Sequence, residues 1–262
     1  AIEAYAIEDK LSIKEKRIYC ERKAYAQLKY FPNLDSPKSY NEKLIWIALY
    51  YKNPIIKKCS DKFFFKEYLK NIIGEQYCVP TIGVFDKIED INFDKLPDRF
   101  VMKSTAGWGG KQVIVVDDKK KVPIDKLKSK AASWLYPWNT YYYNNLCTTD
   151  DNIEPRIIIE TNLSEPGVTL KDYKIFCFNG DPKYLLIVSD RDGKDIKKTF
   201  FDLADWSILP FKRKNACREE KIDKPAEIEK LVELSRRLSA NTPLVRIDFF
   251  ICLLYTSPSP RD

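Results

Sequence analysis

Residues 171–184 read Lys-Asp-Tyr-Lys-Ile-Phe-Cys-Phe-Asn-Gly-Asp-Pro-Lys-Tyr. Strand-forming residues run over 172–178, Asn179-Gly180 supplies the two positive-φ positions of a tight hairpin turn, and a second apolar run follows over 183–188. An antiparallel hairpin is therefore predicted. The period of two puts Asp172 and Lys174 on one face and Tyr173 and Ile175 on the other. A lysine on such a strand either decorates a solvated sheet face or points into a site that binds phosphate. The alternation alone admits both.

Outward from the hairpin, residues 199–202 read as a further strand. Pro225 falls at the first position of a helix ending near Ala240, with Ile228, Leu231, Val232 and the 234–238 segment as its apolar face. The last strand is predicted over 244–251, where Arg246 and Asp248 share one face and Val245, Ile247 and Phe249 the other. Towards the N-terminus, strands are predicted over 156–160, 112–116, 100–104 and 79–85, with a helix over 124–135. Residues 1–74 read as helical. Ser39 and Glu42 form a capping box ahead of a Leu44, Ile47, Tyr51 stripe. A second helix starts near Ser60 with Phe64, Tyr68 and Ile72 on its apolar side, and Gly74 stops it. Helices and strands mixed without regular βαβ alternation predict an α+β fold rather than a doubly wound sheet.

The composition removes several chemistries. The 262 residues contain no histidine, which excludes Ser-His-Asp and Cys-His catalysis and histidine-ligated metals. A general base must be Asp, Glu, Lys or Tyr. Seven cysteines without CxxC spacing fit reduced thiols in a cytoplasmic setting and argue against a zinc site. No apolar run reaches the length of a spanning helix, residues 1–10 lack a signal-peptide core, and the first residue is not Met, which suggests a fragment. The formal net charge of +7 suits an anionic partner such as a nucleotide, a phosphorylated glycan or a membrane surface; a lysine-rich coding bias gives the same number.

Three further features could carry chemistry. Thr105-Ala106-Gly107-Trp108-Gly109-Gly110-Lys111 joins two predicted strands, with Lys103 just before it. Its glycines would let backbone N–H groups approach phosphate oxygens, although no Lys-Ser/Thr pair and helix follow as in a Walker loop; a plain hairpin turn is the alternative. Glu160 ends an apolar strand, where it is either solvated or placed to bind a ribose or an amine. The aromatics over 134–143 fit base stacking, carbohydrate contact or ordinary packing.

In this order the segments SPKSYNEKLIW (36–46), SDKFFFKEYL (60–69), IGVFD (82–86), LPDRFVMKS (96–104), PRIIIE (155–160), KDYKIFCFNGDPKY (171–184), SDR (189–191) and LVRIDFF (244–250) resemble the TupA-like ATP-grasp family of polysaccharide and teichuronopeptide biosynthesis. The resemblance covers about 33–251. It implies two α+β subdomains around a nucleotide cleft, ATP and Mg²⁺ as cofactors, and activation of a carboxylate for attack by an amine. Lys103 and the flap glycines Gly107, Gly109 and Gly110 would hold phosphates, and Glu160 would lie at the adenine hinge. Lys174 would touch phosphate or substrate, Arg246 the transferred phosphoryl group, and Asp248 a Mg²⁺ ion. Expected boundaries are an N-terminal helical segment over 1–74, an ATP-grasp N-terminal subdomain over 75–150, and a C-terminal subdomain over 151–251. The resemblance implies a cytoplasmic protein, at most peripherally in contact with the inner membrane face, whose partner is an envelope glycan or its precursor and not nucleic acid.

Two departures stand out. Family members carry a histidine in the glycine-rich turn, and this chain has none. After the last strand the family returns with a Gly-Glu-Leu-Thr-like strand whose glutamate bridges two metals. Here residues 252–262 read Cys-Leu-Leu-Tyr-Thr-Ser-Pro-Ser-Pro-Arg-Asp, similar to an in-frame translation of a transposase sequencing adapter. The expectation is a non-native tail over 252–262, native sequence ending near Ile251, and a chain that is inactive or nearly so. A glycosyltransferase or glycan-binding protein using a nucleotide-sugar, and a non-enzymatic basic module binding anionic polymer, are the alternatives.

Overall fold

The computed structural model describes residues 12–51, 53, 55, 59, 61–107, 110, 112–136, 154–165, 170–189, 196–210, 222–251 and 255–257. Five α-helices are numbered here: α1 (Ile13–Leu28), α2 (Tyr40–Tyr50), α3 (Lys62–Ile73), α4 (Ile124–Ala132) and α5 (Ile228–Ser239). The strands are β1 (Thr81–Phe85), β2 (Phe100–Ser104), β3 (Val113–Val116), β4 (Ile157–Thr161), β5 (Asp172–Phe178), β6 (Asp181–Ser189), β7 (Lys197–Asp202), β8 (Ile208–Leu209), β9 (Leu244–Phe250) and β10 (Tyr255–Ser257). They form two antiparallel sheets, a smaller one in the order β1-β4-β2-β3 and a larger one in the order β10-β9-β5-β6-β7-β8. The α+β expectation holds.

The hairpin that anchors the sequence reading forms as predicted. Asn179 and Gly180 take φ of 51° and 79°, and β5 pairs β6 from Asp172↔Val188 to Phe178↔Asp181. On the other edge β5 pairs β9, with Lys174 opposite Asp248. Tyr173, Ile175, Cys177, Ile247 and Phe249 pack on α3 and α5 in the principal core. The small sheet has its own core, in which Phe100, Met102, Ile157 and Ile159 pack with Leu127 and Ala131 of α4. Alternation then places Val101, Lys103, Ile158 and Glu160 on that sheet's other face.

The helix caps agree with the sequence, but two apolar stripes do not. Ser39 and Glu42 make the expected capping box, and Ser12 and Glu15 make a second one. In α2 the buried positions are Glu42 and Leu49, while Leu44 of the predicted stripe is exposed. In α3 the buried face is Phe65, Lys66, Leu69 and Ile73, one residue on from the predicted Phe64, Tyr68 and Ile72. Three consecutive phenylalanines make several registers equally apolar, and packing against two partners chooses among them. α3 begins near Ser60 as expected, with Asp61 capping it by accepting from the amides of Phe63 and Phe64. Pro225 is not the first residue of α5, which starts at Ile228 behind Glu227; the Pro225 carbonyl instead accepts from the Ile228 amide at 3.2 Å. Residues 255–257 form an edge strand on β9, so part of the tail contributes backbone pairing.

Candidate functional site

Two groups of charged side chains lie on the sheet faces turned away from the cores. The first is on the large sheet. Because β5 and β9 pair in register, Lys174 and Asp248 meet directly, with Nζ 2.5 Å from Oδ2. Arg246, one pleat away on β9, donates to the same carboxylate from Nε at 2.7 Å and from Nη2 at 3.0 Å. Asp172 Oδ2 lies 3.6 Å from Lys174 Nζ. All four belong to strands whose other face is core, so β-pairing fixes their spacing. Asp172, Lys174 and Asp248 are buried, which strengthens each charge's effect on its neighbours.

The second group is on the small sheet. Glu160 is 2% exposed and accepts from two lysines, Lys103 at 2.6 Å and Lys66 of α3. Lys66 also donates to Thr81 Oγ1 at 2.6 Å. Burial pushes the Glu160 carboxyl up, but the Lys103 and Lys66 ammoniums outweigh it and hold the group below the ordinary carboxylate range. Burial lowers the pKa of Lys66, an effect only partly offset by Glu160. Glu160 is thus held towards its ionised form between two lysines.

The flap grows out of this second group. Lys103 is the penultimate residue of β2, and the turn begins at Thr105, which is fully buried. Gly107 is required sterically: a Cβ there would fall 2.8 Å from both Cβ and Oε1 of Gln112 and 3.3 Å from Ser104 Cβ. Ser104 Oγ and Gln112 Oε1 are buried without a hydrogen-bond partner among the described residues. Gly110 adopts a φ of 71°, while Gly109, Trp108 and Lys111 lie outside the described residues, as do 137–143 of the aromatic segment.

The structure therefore joins Lys174, Arg246 and Asp248 in one cluster and Lys103 and Glu160 in another. Lys66, Lys62 and Arg156 were not singled out by the sequence, and Thr105 only as part of the turn. A lysine inside the apolar run of α3 was the available signal for Lys66.

A family profile described as TupA-like ATPgrasp matches residues 42–253. The chain belongs to the TupA-like ATP-grasp family. No curated protein matches the chain in sequence. Among solved structures, the TupA-like chain is similar to D-alanine–D-alanine ligase from Bacillus anthracis, with 18% identity and a TM-score of 0.44 over 77% of this chain and 55% of that one. It is also similar to N5-carboxyaminoimidazole synthetase from Staphylococcus aureus complexed with ADP, with 13% identity and a TM-score of 0.47 over 97% of this chain and 52% of that one. A third likeness is the biotin carboxylase domain of Hydrogenobacter thermophilus 2-oxoglutarate carboxylase, with 12% identity and a TM-score of 0.46 over 80% and 41%. The chain spans about half the length of these structures. The family assignment stands on the sequence match. Among the described residues of this TupA-like chain, no helix is long and apolar enough to cross a membrane.

Proposed function

We propose that the chain derives from an ATP- and Mg²⁺-dependent carboxylate–amine ligase acting on a cell-envelope polysaccharide, teichuronopeptide or precursor. The observation that carries this reading is the buried Lys174–Asp248–Arg246 cluster on two paired strands. It combines two cations for phosphoryl oxygens with a carboxylate for a metal.

The residues fit both groups. The backbone at Gly107, which has no room for a Cβ, and the ammonium of Lys103 beside it suit a polyphosphate. Among the described residues no group of three or more acidic or cysteine side chains is placed to hold a metal. Asp248, with Asp172 nearby, is the kind of sparse oxygen set that Mg²⁺ uses when substrate phosphates complete its shell. ATP would supply the phosphoryl group that turns a carboxylate into an acylphosphate, and Mg²⁺ would neutralise phosphate charge.

Within that reaction Lys103 and the backbone at Gly107 and Gly110 would hold the nucleotide's phosphates. Lys174 and Arg246 would hold oxygens of the phosphoryl group, and Asp248 between them would hold the metal ion. Glu160 sits behind Lys103 and aims it.

The test is ADP release from ATP and Mg²⁺, with Lys174→Ala and Asp248→Ala as controls. Competition that favours a UDP-sugar over ATP would replace this reading with the nucleotide-sugar one. ADP release left unchanged by both substitutions would overturn the site assignment.

A further inference from the structure

Helix α3 bonds to the flap half of the proposed site and shares a core, together with α5, with the strands of the other half. Its apolar side, Phe65, Leu69 and Ile73, lies in the core with Tyr173, Ile175, Ile247 and Phe249, the residues that flank Lys174 and Asp248 in sequence. Its cationic side faces the small sheet. Lys66 bonds Glu160 and Thr81, and Lys62, one turn earlier, donates its ammonium to the carbonyl of Gly107.

The first turn of α3 is also clasped to the root of the flap. The Lys62 amide donates to the Thr105 carbonyl at 2.9 Å, the Thr105 amide to the Arg156 carbonyl at 2.8 Å, and the Arg156 amide to Thr105 Oγ1 at 3.1 Å. Arg156 Nη2 lies 3.6 Å from Oδ1 of Asp61, the α3 cap, and its guanidinium stands 4.4 Å from the Phe63 ring centre. Thr105 thus spends its amide, hydroxyl and carbonyl on two other elements and has no exposed surface. A turn that served only to reverse the chain would need none of these bonds.

We propose that α3 is a strut fixing the distance between the flap root with Lys103 and the Lys174–Asp248 cluster, and that Thr105 is the positioning residue that fastens the flap to it. The consequence for phosphate binding rests on the function proposed above; the mechanical link does not. A shift of α3 moves the underside of β5 and β9 together with the carbonyls of Thr105 and Gly107, because a packed core transmits displacement rather than absorbing it.

The test is amide hydrogen exchange of the full chain, read at residues 104–107 and 62–66 in Thr105→Val, Thr105→Ser and Leu69→Ala. Thr105→Val keeps the shape and removes one buried hydrogen bond. It should speed exchange at both segments by about five- to tenfold, and Thr105→Ser should restore it. Leu69→Ala touches only the apolar side of α3 and should speed exchange at 104–107 as well. It keeps the proposal testable if Thr105→Val does not fold. A change confined to 104–107 in Thr105→Val, or no change there in Leu69→Ala, overturns the strut. In parallel, Thr105→Val should weaken ATP by about five- to tenfold while leaving adenosine within about twofold, since the clasp positions phosphate contacts. Equal losses for ATP and adenosine would mean that Thr105 has a purely structural role. Exchange coupling in a wild-type chain that binds no ATP would sustain the strut and sink the nucleotide reading.

Discussion

Replacing Glu160 with Gln should be among the most damaging conservative changes in the chain. The side chains of Glu160, Lys66 and Lys103 are 3%, 2% and 16% exposed, so two ammoniums depend on this one carboxylate for compensation in a nearly dry place. Gln keeps the shape and one acceptor oxygen but removes the charge. Stripping one partner from a buried ion pair costs about 3–5 kcal/mol, because the other charge is left uncompensated. In a chain of this size each kcal/mol moves the midpoint by roughly 2–4 °C, so Tm should fall by about 6–20 °C. Lys66 carries most of that penalty, since Lys103 can turn to solvent or phosphate. Adding Lys66→Met to Glu160→Gln should therefore recover a substantial part of the loss, and the double-mutant cycle should show coupling of about 2 kcal/mol or more. Thermal and urea unfolding of the four proteins at neutral pH supply the numbers. A loss below about 1 kcal/mol for Glu160→Gln, or additive effects of the two changes, would refute the claim that this carboxylate holds the small sheet to α3.

Other consequences can be measured separately. Glu42 accepts from the amides of Asn33, Ser39 and Lys38, which holds its pKa at about 2 against the ordinary 4.5. Its contribution is complete above pH 4.5 and should disappear as the pH falls towards 2, with the first loss of helical signal around α2; an N-terminal segment equally stable at both ends of that window would contradict the capping role. Burial raises the thiol of Cys177 to about 12 and that of Cys59 to about 11, so neither should react with iodoacetamide in the native protein. Mass spectrometry showing prompt alkylation at Cys177 would count against the core assignment. Gly107→Ala places a Cβ 2.8 Å from Gln112 and should cost phosphate affinity with little change in adenosine binding; unchanged ATP affinity would remove the flap root from the site.

Local signals in the sequence were enough for the hairpin and for the shared faces of its charged residues. Asn179-Gly180 has few alternatives to a tight turn, and a strict period of two assigns Lys174 and Asp248 to a face without reference to anything distant. What the sequence could not supply was the register between β5 and β9, separated by the whole of β6 to α5. That register turns two weak signals, a lysine and an aspartate on separate strands, into a 2.5 Å contact. Helix α3 failed for a related reason. With phenylalanine at 63, 64 and 65, the apolar moment does not choose a face, and the buried Lys66 reads as a solvated interruption until its partner from β4 is seen. Glu160 reads in the sequence as a strand-end acid, either solvated or bound to a ligand; its two lysines come from residues about sixty and ninety positions earlier, beyond the reach of periodicity.

The most direct test of the account is calorimetric titration of ATP with Mg²⁺ into this chain and into its Lys103→Ala and Asp248→Ala variants. The account predicts saturable binding that each variant weakens by roughly tenfold or more, the worth of a charge-assisted contact. ATP binding that ignores both substitutions, or no binding by the unaltered chain, would contradict it.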